Sequence, residues 1–175
     1  MKVQLRPLAD SDVPLLAKWL YAPHVAPWFE HPQSWLNEVE TRRTSFCWIS
    51  HFIICADGAP IGFCQYYPYA QSGEDWQGDV PTEGAYSLDY LIGEAAYLRR
   101  GCAREALLQL GARIKAQPDA QRIIVQPDAD NAASQNALRA AGYSHDAKNN
   151  LFLLVLQPAP AAEQPDHFQL KKDGE

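Results

Sequence analysis

The chain runs to 175 residues with a formal net charge of −6 at pH 7, and 47% of its residues are hydrophobic. That length suits one domain able to bury its own core, and the acidic balance argues against nucleic acid or an anionic membrane as partner while favouring a cationic one. The chain holds no apolar run of the roughly 18 residues that a transmembrane helix needs, and Met1 to Arg6 lack the apolar stretch of a signal peptide. The four cysteines, Cys47, Cys55, Cys64 and Cys102, show no C-x-x-C spacing. Three stand in apolar, strand-like sequence, so buried free thiols in a reducing cytoplasm are expected.

Residues 2–6 read as a short strand. Asp10 or Ser11 can cap a helix over about residues 12–21, which carries Pro14 in its first turn and presents Leu15, Leu16, Trp19 and Leu20 on one face. The aromatic, proline-rich passage from Tyr21 to Pro32 cannot continue that helix. Ser34 can cap a second helix that presents Trp35, Leu36 and Val39. Phe46 to Cys55 reads as a strand, Asp57 and Gly58 as a hairpin turn, and Ile61 to Tyr67 as the return strand. A polar loop over residues 70–84 leads into a central strand from Tyr86 to Gly93. Ala103, Ala106, Leu107, Leu110 and Ile114 recur at helical spacing, which predicts a helix over about residues 101–116. Arg122 to Gln126 is a strand. Asp130 can cap a helix over residues 131–141 that Gly142 ends, and Leu151 to Leu156 is a last strand. The order implies an α/β (α+β) fold with a single mixed, mostly antiparallel central sheet flanked by helices. Residues 1–156 are expected to form the domain and residues 157–175, rich in proline, alanine and charge, a disordered tail.

The chemistry concentrates between Tyr86 and Glu105. An apolar strand carrying one carboxylate, Asp89, feeds a basic turn, Arg99-Arg100-Gly101, that opens an amphipathic helix. A helix N-terminus offers free backbone N–H groups and a positive dipole end, which suits a phosphate. A phosphate-bearing cofactor beside a strand carboxylate suggests group-transfer chemistry. In the loop before the strand, Glu74, Asp75, Asp79 and Glu83 follow one another with no lysine or arginine between them, and Trp76 stands among them. Exposed ion pairs contribute only about 0–1 kcal/mol each, whereas micromolar binding needs about 8 kcal/mol. A polycation meeting several carboxylates with aromatic help approaches that figure. Trp28, Phe29, Tyr67 and Trp76 are candidate walls for sugar rings and cation–π contact. The acidic loop is equally consistent with a merely solvated surface, and Trp28 and Phe29 with core. His24 and His31 read as loop structure, since no third ligand of suitable spacing accompanies them.

The order of elements, the turn from Arg99 to Ala103, and Asn131, Ser134 and Ala141-Gly142-Tyr143 resemble the GCN5-related N-acetyltransferase (GNAT) superfamily over about residues 2–156. Within it the chain is most similar to aminoglycoside 6′-N-acetyltransferases, on Trp19-Leu20, Pro23-His24-Val25, Trp28, Pro60 to Phe63, Gln65, Tyr67, Ser72-Gly73-Glu74, Trp76, Gly84 and Leu88-Asp89. The resemblance implies acetyl-CoA as cofactor. Its pyrophosphate is expected on Arg99, Arg100, Gly101, Cys102, Ala103 and Arg104, and its pantetheine arm beside Leu91 and Ile92. Asn131 and Ser134 match positions near the pantetheine or thiol end, although a helix cap and a solvated helix face account for them equally well. Asp89 matches the carboxylate beside the acceptor amine. An ordinary aspartate, with a pKa of about 3.9, is a weak base, so Asp89 is expected to position the amine and to accept its proton directly or through water. The amide N–H near Ile92 is expected to polarise the thioester carbonyl.

The implied activity is acetyl transfer to a primary amine of a polycationic small molecule, the 6′-amine of an aminoglycoside first among candidates, with Trp28, Tyr67, Glu74, Asp75, Trp76 and Asp79 as substrate contacts. Siderophore, polyamine or peptide amines, and a catalytically silent CoA-binding module, stay open as alternatives, as does the choice between monomer and homodimer. Two positions depart from the family pattern. Leu98 stands where a glutamine or arginine is usual before the turn. Leu138 stands where many relatives carry the tyrosine that protonates the departing thiolate. An aliphatic residue there also occurs in relatives that modify protein N-termini, and siderophore relatives tend to carry histidine at the Asp89 position.

Overall fold

The computed structural model describes residues 1–156. The expected tail over residues 157–175 lies outside the described residues. The elements in chain order are β1 (Val3–Pro7), α1 (Val13–Leu20), α2 (Pro32–Glu40), β2 (Ser50–Ala56), β3 (Ala59–Pro68), β4 (Ala85–Ile92), α3 (Cys102–Lys115), β5 (Arg122–Val125), α4 (Ala132–Ala140), β6 (Ser144–Asp146) and β7 (Leu151–Val155). The strands form one sheet in the order β1-β2-β3-β4-β5-β7-β6. Every junction is antiparallel except β4 with β5. The mixed, mostly antiparallel sheet flanked by helices is therefore as expected.

Strand alternation sorts the side chains onto two faces. Ile53, Phe63 and Leu91 pack with Leu16, Trp19, Leu20, Leu36 and Val39 beneath α1 and α2. Ile54, Cys64, Leu88 and Ile123 pack with Leu107, Leu110, Ile114 and Leu138 of α3 and α4. On β4, Ser87, Asp89 and Leu91 thus face the α1/α2 side, and Leu88, Tyr90 and Ile92 the α3/α4 side.

Several local features differ from expectation. The first helix is preceded by Asp12, not capped by Asp10 or Ser11. The Asp12 carboxylate reaches back to the Ala9 N–H at 2.8 Å and to the Arg6 guanidinium, while Asp10 pairs with Arg42 and Arg43. The second helix starts at Pro32 after a left-handed His31, so Ser34 lies inside it. Phe46 to Ile49 form turns, and their apolar character comes from packing, with Trp48 edge-on to Tyr67 at 5.8 Å. A short strand, β6, stands where no strand was expected. Asn131, not Asp130, caps α4, its side-chain oxygen accepting the Ser134 N–H at 3.0 Å. Cys47 is exposed, while Cys55, Cys64 and Cys102 are buried free thiols.

The far end of β4 is held tightly. Trp19 is completely buried, donates from its indole N–H to Glu94 at 2.8 Å, and lies flat against Gly93, where any Cβ would overlap the indole. Gly93→Ala is expected to cost about 1–3 kcal/mol through overpacking. That loss reads as a lower urea midpoint at unchanged slope, and an unmoved midpoint would contradict this packing.

Candidate active site

β4 pairs with β3 along its whole length, from Tyr86 opposite Pro68 to Ile92 opposite Gly62. With β5 it pairs only at Ala85 and Tyr86. β5 is just four residues long, and Pro127 beyond it has no N–H to extend the ladder. The two strands therefore diverge after Tyr86 and leave a gap. The Gly93 N–H bonds to Ile61 O at 2.8 Å, so by antiparallel alternation Leu91 and Asp89 also face β3. The amides of Tyr90 and Ile92 then point into the gap. His24 Nε2 lies 3.0 Å from the Ile92 carbonyl oxygen and tethers that edge to the loop after α1.

A cavity of about 640 Å³ continues from this edge to the start of α3. Its walls include Leu91, Ile92, Leu98, Arg99, Gly101, Cys102, Ala103, Arg104, Asn131 and Ser134. Arg99 and Gly101 both hold left-handed backbone, at φ 59° and 81°. Glycine adopts this freely and arginine only under constraint from its surroundings. No side chain caps α3, so its first N–H groups and its dipole are directed at the cavity. The arrangement fits a pyrophosphate on the turn, and an extended amide-bearing arm pairing with the open edge of β4.

A second cleft of about 170 Å³ opens on the other side of the gap. It is lined by Trp28, Phe29, Tyr67, Glu74, Trp76, Asp89, Tyr90, Gln126, Asp128, Asn131 and Ser134 among others. Trp28, Phe29, Tyr90, Asn131 and Ser134 belong to both cavities and form the passage between them. Asp89 sits half-buried on its floor, directly opposite Gln65, whose side-chain amide donates to it at 3.0 Å. Desolvation pushes the Asp89 carboxyl up to about 7; Glu38 and Glu74 add to the rise, and the Gln65 bond opposes it. Asp89 is therefore a better base near neutral pH than an ordinary aspartate. Tyr67, buried and close to Asp89, has its phenol pushed up as well, chiefly by burial.

The residues expected from sequence divide clearly. Leu91, Ile92, Arg99, Gly101, Cys102, Ala103, Arg104, Asn131 and Ser134 come together on the larger cavity, and Trp28, Tyr67, Glu74, Trp76 and Asp89 on the smaller. Arg100 lies outside both linings, because its guanidinium stacks on the Tyr97 ring at 5.4 Å. Cys102 keeps its thiol buried, 3.9 Å from the Met1 sulfur. Asp75 and Asp79 also lie outside the smaller cleft: Asp75 is exposed, and Asp79 pairs with Lys148 at 2.6 Å. Tyr67 is only 7% exposed, which leaves little of its ring as a stacking wall. Leu138 is completely buried among core residues and reaches neither cavity. Sequence reasoning gave no site role to Gln65, Asp128, Tyr90 or Glu38. Gln65 was detectable as a polar residue on the buried face of a strand. Asp128 and Tyr90 gain their place only when β5 and α4 are set against β4.

A sheet parted between two strands, with a basic helix-opening turn on one side and a carboxylate in an acidic cleft on the other, fits an acyl-CoA-dependent N-acyltransferase. The acetyltransferase (GNAT) domain family matches residues 9–151, and the chain belongs to that family. It is an N-acetyltransferase that uses acetyl-CoA. Aminoglycoside N(6′)-acetyltransferase type 1 of Klebsiella pneumoniae is 24% identical over 147 residues, covering 81% of this chain and 73% of the relative. The Serratia marcescens protein of the same name matches equally, at 24% over 147 residues. Among solved structures, aminoglycoside acetyltransferase AAC(6′)-Ib in complex with coenzyme A superposes with a TM-score of 0.76 at 19% identity, covering 88% of this chain and 95% of that one. The same enzyme with coenzyme A and kanamycin gives 0.75 at 21%, with 88% and 95% covered. At such identity these structures show the shared fold. Among the described residues no helix is long and apolar enough to cross a membrane.

The raised Asp89 pKa carries a stability consequence. An unfolded aspartate ionises near 3.8 and the folded one near 7. The fold therefore opposes ionisation, and stability falls as pH rises between these values and then levels off. Asp89→Asn removes that penalty. Thermal melts are expected to show the variant gaining on wild type from about pH 4 to about pH 7 and holding its advantage above. A difference that stays flat across this range would contradict the assigned environment.

Proposed function

We propose that the protein transfers the acetyl group of acetyl-CoA to a primary amine of a polycationic small molecule, most specifically the 6′-amine of an aminoglycoside. The carrying observation is Asp89, desolvated where the cofactor cavity meets a cleft bearing Glu74, Asp128, Trp28 and Trp76. The similarity to aminoglycoside N(6′)-acetyltransferases supports the choice of acceptor.

Acetyl-CoA supplies an acyl carbon activated as a thioester. Arg99, Arg104 and the N–H groups opening α3 hold its phosphates. The open amides of β4 at Tyr90 and Ile92 align its arm and donate to the carbonyl oxygen as charge develops there. On the other side, Glu74 and Asp128 draw in a cationic acceptor, with Trp28 and Trp76 flanking it. An incoming ammonium lowers the Asp89 pKa and forms an ion pair with it. Asp89 takes one proton from the ammonium and passes it to solvent, which leaves a neutral amine, and it accepts the second proton as the C–N bond forms, while Gln65 holds the carboxylate in place. The cleft admits one amine-bearing end of a larger molecule. Its narrowness, about 170 Å³, supports a linear polyamine as the second acceptor class.

A thiol-release assay with acetyl-CoA against kanamycin, tobramycin, spermidine and a peptide amine tests the assignment. Turnover on the aminoglycosides with product acetylated at the 6′-amine is expected; turnover confined to spermidine or the peptide would replace that acceptor. Asp89→Asn is expected to lower turnover by about 10²-fold or more with acetyl-CoA affinity retained. A rate within twofold of wild type would remove Asp89 from the chemistry. The pair Glu74→Gln and Asp128→Asn is expected to raise the acceptor KM several-fold and flatten its salt dependence. The pair Asp75→Asn and Asp79→Asn is expected to leave both unchanged.

A further inference from the structure

The passage between the two cavities contains one side-chain pair that the scheme above leaves unused. The Tyr90 hydroxyl lies 2.7 Å from Ser134 Oγ and 3.2 Å from the Ser134 carbonyl oxygen. Tyr90 reaches across from β4 and Ser134 from the first turn of α4, so the pair bridges the gap that the sheet leaves open. Ser134 is held there by its own N–H bond to the Asn131 side chain at 3.0 Å. Both residues line the cofactor cavity and the acceptor cleft.

We propose that Tyr90 and Ser134 form the proton donor for the departing CoA sulfur. Three observations carry it. The first is position: these hydroxyls stand in the passage where the acyl group must lie to be reached from both sides. The other hydroxyl on the cofactor cavity, Tyr97, is not shared with the acceptor cleft and carries Arg100 on its ring. The second is side. Tyr90 follows Asp89 in an extended strand, so the two project to opposite faces of the sheet. A base on one face and an acid on the other match an acyl transfer in which the amine arrives from one side and the sulfur leaves on the other. The third is charge state. Burial holds the Tyr90 phenol up to about 12, so it keeps its proton throughout the working range. The 2.7 Å contact gives that proton a direct route to Ser134.

The amine nitrogen bonds to the acyl carbon and gives one proton to Asp89. The C–S bond breaks, its electron pair goes to sulfur, and sulfur takes a proton from Ser134 Oγ. Ser134 is refilled from Tyr90, and the Tyr90 phenolate recovers its proton through solvent, as Asp89 releases the one it received. Products are the amide, free CoA thiol and the regenerated pair. The inference rests on acetyl-CoA chemistry and not on which amine is the acceptor.

The test needs no acceptor. CoA is titrated in complex with the enzyme, and thiolate formation is followed by its ultraviolet absorbance against pH. Donation from the pair stabilises the bound thiolate, so Tyr90→Phe and Ser134→Ala are each expected to shift its ionisation upward by about one pH unit. Each variant removes one hydroxyl, and a circular dichroism spectrum matching wild type with CoA still bound marks an intact site. If Tyr90→Phe does not fold, Ser134→Ala carries the measurement. With any amine that wild type acetylates, the same variants are expected to lose about 10²-fold in kcat. A thiol that titrates identically in wild type and both variants would overturn the proposal. A shifted titration with no aminoglycoside turnover would uphold the donor and overturn the acceptor.

Discussion

The site depends on one break in a hydrogen-bond ladder. β4 and β5 share two rungs and then part. Had they stayed paired, the amides of Tyr90 and Ile92 would be satisfied by β5 and no edge would remain for a cofactor. The parting is maintained by features on several elements. β3 holds the other side of β4 without interruption, Trp19 clamps Gly93 at its far end, and His24 takes the Ile92 carbonyl. β5 stops short before Pro127, and α4 begins soon after, capped by Asn131. An open edge inside a sheet otherwise invites collapse or unwanted pairing. Here neighbouring elements hold it in place, and in the proposed scheme the cofactor completes it.

Alternation along β4 then places opposed chemistry on the two faces of the same gap. Asp89 looks toward α1 and α2 with Gln65 beside it; Tyr90 looks toward α4 and Ser134. In the proposed scheme these adjacent residues serve opposite ends of one reaction coordinate. Desolvation acts on both in the same direction, keeping each protonated to higher pH than in water. For the carboxyl this brings the pKa into the range where a base is useful at neutral pH. For the phenol it preserves an acid. The acidic surroundings, Glu38 and Glu74 nearest in effect, strengthen the first shift and attract a cation that later reverses it.

Much of this was legible in the residues. The stripe from Ala103 to Ile114, the turn at Asp57 and Gly58, and the basic turn at Arg99 to Gly101 each have a local cause, and local causes survive folding. Asp89 stood out as the lone carboxylate in an apolar strand. Other features were hidden because their causes are not local. Phe46 and Trp48 look like strand residues, yet they are apolar because they pack sideways on neighbours. Asp75 and Asp79 belong to the same acidic run as Glu74, but the loop folds so that Lys148 and Asn149, seventy residues away, hold Asp79. Leu138 stood out as a departure from the family pattern in a local motif. The proposed counterpart, Tyr90 against Ser134, requires knowing that β4 and α4 meet across the gap.

Amide hydrogen exchange with and without CoA tests the central claim most directly, namely that the open edge of β4 and the start of α3 together hold the cofactor. The expected result is slowed exchange at the Tyr90 and Ile92 amides and at those of Ala103 and Arg104, with β3 unchanged. CoA binding that protects neither the β4 edge nor the α3 turn would contradict it and move the cofactor elsewhere on the fold.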